Sequence, residues 1–140
     1  MKKTLGSLML LAILVGPACC IAQAEEFSYS GYREDTNQAC QISFEIDETG
    51  TITHGIFHLN KACGEGIYLA GGDLYFSGQK SSLGFDGSGD QCSGVPTNEC
   101  GYGKIWYDPS WGVVLQLTST CTYGTANYIF KNVSNPFRVE

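Results

Sequence analysis

Positive charge is scarce in this 140-residue chain, which holds 8 Lys and Arg against 14 Asp and Glu. Beyond Lys2-Lys3 no two basic residues are adjacent. Neutralising phosphates needs clustered cations, so nucleic acid is excluded as a partner. Histidine is scarcer still. His54 and His58 are the only two, and four residues of extended chain set them too far apart for one metal or a catalytic dyad. Cys-x-x-Cys, Gly-x-Ser-x-Gly and His-Glu-x-x-His are all missing. With them go the common zinc sites, the thioredoxin-type centre and the usual hydrolase signatures. We expect no metal, no cofactor and no catalytic residue.

Long apolar runs are confined to the N-terminus. Met1-Lys2-Lys3 precedes an apolar stretch over 5–16, and Ala22-Gln23-Ala24 supplies small residues at a cleavage point. This is the three-part secretory pattern, here with a bacterial look, and it predicts that residues 1–24 are a signal peptide removed after Ala24. Pro17 ahead of Cys19 does not suit a lipid-modified cysteine. The mature chain, 25–140, has no run long enough to span a membrane and is one domain's length. Its expected home is the periplasm or the cell exterior. Losing Lys2 and Lys3 makes the mature chain more acidic still.

Sustained helix signals are also absent. Most of the 18 Gly fall in the mature chain, and each would weaken a helix interior by about 1 kcal/mol. Short alternating runs separated by turn residues remain. Phe27 to Tyr32 alternates aromatic and small residues. Ile42, Phe44 and Ile46 alternate with Ser43, Glu45 and Asp47. Thr51 to Leu59 returns after Glu48-Thr49-Gly50, giving the clearest hairpin. Ile67 to Ala70 and Leu74 to Ser77 read as a second hairpin across Gly71-Gly72-Asp73. Ser82 to Asp86 is a further strand. Lys104 to Tyr107 and Gly112 to Thr118 flank Asp108-Pro109-Ser110-Trp111, a third hairpin. Thr125 to Lys131 is the last strand. The predicted class is all-β: a small antiparallel meander closing as a barrel, with a β-sandwich as the alternative.

Cysteine is plentiful, and an exported chain makes disulfides the default. The mature chain keeps Cys40, Cys63, Cys92, Cys100 and Cys121. Cys40–Cys63 across a hairpin and Cys92–Cys100 across a turn-rich loop are the expected staples, with Cys121 the free thiol. Cys100–Cys121 is the rival pairing.

Three functional readings follow. The first is a non-enzymatic binding protein, because acidity on a rigid β scaffold suits loops that recognise a basic protein. An inhibitor of a cationic enzyme such as lysozyme has these properties. The second is a carbohydrate-binding module. Trp106, Tyr107 and Trp111 bracket one turn and could stack on a sugar, with Asp108 as polar contact. The third and weakest is a small hydrolase using a carboxylate pair, since acids such as Glu45, Asp73 and Glu99 are available. Asp86-Gly87-Ser88-Gly89-Asp90 spaces oxygens as calcium loops do. Gln91 and Thr97 then stand where that pattern wants Gly and Glu.

Overall fold

The computed structural model describes residues 23–59, 72–87, 100–120 and 123–137. Eight strands follow one another: β1 Glu25–Arg33, β2 Ala39–Ile46, β3 Ile52–Leu59, β4 Gly72–Gln79, β5 Ser82–Gly87, β6 Gly101–Asp108, β7 Gly112–Ser119 and β8 Thr125–Phe130. Each pairs antiparallel with the next, and β8 returns to β1 to close an eight-stranded barrel. The barrel expectation holds and the sandwich does not. No helix occurs among the described residues, so none there is long and apolar enough to cross a membrane.

Period-2 alternation decides which side chains enter the barrel. Ile42 and Phe44 on β2, Leu74 and Phe76 on β4, and Val113, Leu115 and Leu117 on β7 all point into the core. Aromatic rings fill its length. Phe44 touches Phe27, Tyr29 and Phe76, and Phe76 touches Phe85. Tyr128 meets Phe57 edge-on at 4.6 Å. Burial pushes the Tyr128 phenol well above its ordinary pKa and the Tyr29 phenol up to about 12. Room for these rings comes partly from glycine. A Cβ at Gly103 would strike the Gln116 carbonyl and crowd the Phe85 ring.

The hairpin over β2 and β3 forms as expected, around a turn built by Asp47. Its carboxylate accepts from the Thr49 N–H (2.8 Å), the Thr49 hydroxyl (2.6 Å) and the Thr51 N–H (3.0 Å). The hydroxyl bond, most of all, lowers the Asp47 pKa. Past the turn, β3 carries a bulge between Ile52 and Gly55, with His54 at φ 50°. The extra residue shifts the phase, so that Ile52 and Phe57 are both buried.

The second hairpin is different from the sequence reading. Gly72 and Asp73 are not a turn but strand residues, paired with Leu59 and His58 of β3. The tight turn is instead Lys80-Ser81, and it joins β4 to β5. A Gly-Gly-Asp run looks like a turn locally, but the neighbouring β3 strand pairs with Gly72 and Asp73 and draws them into the sheet. Residues 67–70, the other arm of that reading, lie outside the described residues. The third hairpin forms as read. Asp108 Oδ1 accepts from the N–H groups of Ser110 (2.7 Å) and Trp111 (3.1 Å). Gly112 follows at φ 91°, a conformation L side chains rarely adopt.

At the other end of the barrel, buried Arg33 grips Asp35 through two bonds of 2.6 and 2.9 Å across the β1–β2 turn. That contact, above all, holds the Asp35 carboxyl below its ordinary range. Cys40 is buried at the start of β2. Cys63, its expected partner, lies outside the described residues, as do Cys92 and Cys121. Cys100 is a buried free thiol, against the expected bridge to Cys92. Its side chain belongs to the core cluster beside Phe85, and burial pushes its pKa up.

Candidate functional site

The described core residues pack inside the barrel, and the exposed ones lie on its outer wall and at its ends. The hairpin tip is the first to consider. Tyr107 turns inward and packs against the core. Trp106, one residue earlier, faces out opposite Val114 on β7. Trp111 stands in the turn, 45% exposed. The Asp108 carboxylate is taken up by the turn's own N–H groups. The four residues expected to form one platform therefore split between the core, the wall and the turn. Alternation forces this, because adjacent strand residues cannot share a face.

The outer wall divides by charge. Register places Ser43, Ile56, Tyr75 and Asp86 in one row across β2, β3, β4 and β5. A second row runs Gln41, His58, Asp73. Beside them Glu26 lies directly opposite Glu45. Like charges facing across a ladder are destabilising, so this pair is a local cost to the fold. His54 reaches Glu45 at 3.0 Å and His58 reaches Asp73 at 2.8 Å. Both histidines are exposed on the outer side. Tyr75, 48% exposed, sits amid these acids. Arg33 is the only Lys or Arg in β1 to β5, and it is buried.

The opposite wall has another character. Tyr32, Ile129, Val114 and Trp106 form a row across β1, β8, β7 and β6. Val114 and Ile129 are buried without joining the interior cluster. Lys131 lies over the Tyr32 ring at 5.5 Å and Lys104 over the Trp106 ring at 5.3 Å. Beyond this row, Gln116 donates to Asn127 and Asn127 donates to Glu34, a polar ladder down the strands.

Among the described residues, two shallow hollows open on the surface. One, of about 350 Å³, is lined by Lys80, Ser81, Lys104, Ile105 and Trp106. The other, of about 250 Å³, lies over Ser30, Gly31, Cys40, Gln41 and His58. No group of three or more His, Cys, Asp or Glu able to hold a metal occurs among the described residues. Most of the calcium-like segment 86–90 lies outside them.

Sequence reasoning singled out neither Tyr75 nor the Lys80–Lys104 hollow. Tyr75 carries no local signal, since its importance comes from the acids that register brings around it. No family model, curated protein or solved structure matches this chain.

Proposed function

We propose that this chain is an exported, non-enzymatic binding protein whose acidic wall docks a basic protein. One observation carries the reading: the outer face of β1 to β5 bears Glu26, Glu45, Asp73 and Asp86 and no exposed Lys or Arg among its described strand residues. A single-signed field of this kind speeds encounter with an oppositely charged partner. Tyr75 at its centre has the chemistry of an interface anchor, a large ring with a polar tip. A cationic enzyme such as lysozyme is the class of partner that fits. The Glu26–Glu45 pair supports the same reading, because a basic side chain from a partner would relieve it.

Export rests on the secretory pattern of residues 1–24, with the periplasm or the exterior as destination. In that oxidising space Cys40 and Cys63 form the bridge that the hairpin spacing suggests. Carbohydrate recognition at the hairpin tip loses support, since Tyr107 and Asp108 are committed to the core and the turn.

The test is calorimetry with lysozyme as the basic probe and a neutral protein of similar size as control. Lysozyme should bind, and affinity should fall steeply as salt rises. Tyr75→Ala should weaken binding by roughly 2 kcal/mol, and Glu45→Gln with Asp86→Asn should reduce the salt dependence. Affinity indifferent to salt and to all three substitutions would remove this reading.

A further inference from the structure

A second site lies where β4, β5 and β6 meet, and its chemistry is opposite to that of the acidic wall. The β4–β5 turn has only two residues, Lys80 and Ser81. The Ile105 N–H donates to the Lys80 carbonyl at 2.7 Å, which ties this turn to β6. Alternation along β6 puts Lys104 and Trp106 to either side of Ile105 on the strand. The result is the hollow of about 350 Å³ between Lys80, Ser81, Lys104 and Trp106. That volume lies at the small end of ligand-binding clefts.

In a chain this poor in cations, two of the three exposed lysines among the described residues line one hollow. No carboxylate of the described residues pairs with either ammonium. Lys104 instead lies over the Trp106 ring, 5.3 Å from its centroid. A cation on an indole face is a modest interaction at an exposed site, and a carboxylate competes well for the ammonium. The indole offers a flat apolar surface to C–H groups, and the Ser81 hydroxyl can both donate and accept.

We propose that this hollow binds an acidic saccharide, a sugar bearing a carboxylate. Lys80 and Lys104 hold the carboxylate, Ser81 meets a ring hydroxyl, and the sugar ring lies against Trp106. Binding moves the Lys104 ammonium from the indole to the ligand, so Trp106 reports occupancy directly. The site is independent of the acidic wall and does not need the basic partner.

The experiment uses Trp111→Phe protein, in which Trp106 is the only tryptophan, and follows its fluorescence. Trigalacturonate, neutral galactotriose and inorganic phosphate are titrated separately. Trigalacturonate should give a saturable shift. Lys80→Gln and Lys104→Gln should each weaken it about tenfold, the loss of one charge-assisted contact. Both lysines are exposed, and an unchanged melting temperature shows that each variant is folded. Galactotriose and phosphate should bind at least about tenfold more weakly than trigalacturonate. An equal response to galactotriose would overturn the role of charge. An equal response to phosphate would leave only a site for a simple anion and overturn the saccharide. No saturable shift with trigalacturonate would overturn the proposal outright.

Discussion

Phe44 and Glu45 are neighbours in sequence with opposite fates. Phe44 is 1% exposed and meets Phe27, Tyr29, Phe76 and Phe137. Glu45 points outward, toward His54 and Glu26. Truncating the ring leaves a cavity among four others, so Phe44→Ala should cost about 3–5 kcal/mol. Glu45→Ala removes one exposed hydrogen bond to His54 and one like-charge contact, which nearly cancel, and should change stability by less than about 0.5 kcal/mol. Urea unfolding of the two variants checks this, and similar losses from both would mean that β2 is in the other register.

Two elements have stability that single residues control. The β2–β3 turn depends on the Asp47 carboxylate, whose pKa lies below its ordinary value of 3.8. A group with a lowered folded pKa contributes stability above its unfolded pKa and loses it as pH falls through the folded one. Asp47→Ala should therefore lower the melting temperature at neutral pH, and the gap to the parent should narrow below about pH 4. A gap of constant size down to pH 2 would contradict the turn geometry. The C-terminal segment is the other such element. After β8 the chain brings Phe137 onto Phe44, stacked with ring centroids 6.3 Å apart. Phe137 is half-buried, so Phe137→Ala should cost about 2 kcal/mol. It should also admit a hydrophobic dye to the barrel end, measurable as increased dye fluorescence in the folded state.

At the scale of the whole molecule the barrel has no sheet edge, since β1 and β8 close on each other. That closure is short: only Tyr32 with Ile129 and Arg33 with Tyr128 are in register. A Cys40–Cys63 bridge would hold the neighbouring β2–β3 wall, closing a loop that contributes about 3 kcal/mol by chain entropy. Reductant should lower the melting temperature by roughly ten degrees. Cys100, 4% exposed and with its pKa raised by burial, should resist alkylation in the native protein and react on denaturation without reductant. Rapid native labelling of Cys100 would contradict its place in the core.

The all-β class, the barrel and two of the three hairpins were determined by the sequence itself. Alternation and turn residues act over a few positions, and Ile42, Phe44 and Ile46 against Glu45 already define both faces of β2. Tertiary structure decided what depends on partners distant in the chain. Gly72 and Asp73 became strand because β3 pairs with them, and the phase of β3 changed at a bulge that no local pattern marks. Trp106, Tyr107 and Trp111 are close in sequence, and the strand sends them to different sides. Conversely, Glu26 meets Glu45 and Tyr75 meets Asp86 only through register, and Lys80 shares a hollow with Lys104 because its carbonyl accepts the Ile105 N–H. Both proposed sites are of this kind, because a surface on a barrel wall is made between strands, and strand pairing is a long-range property.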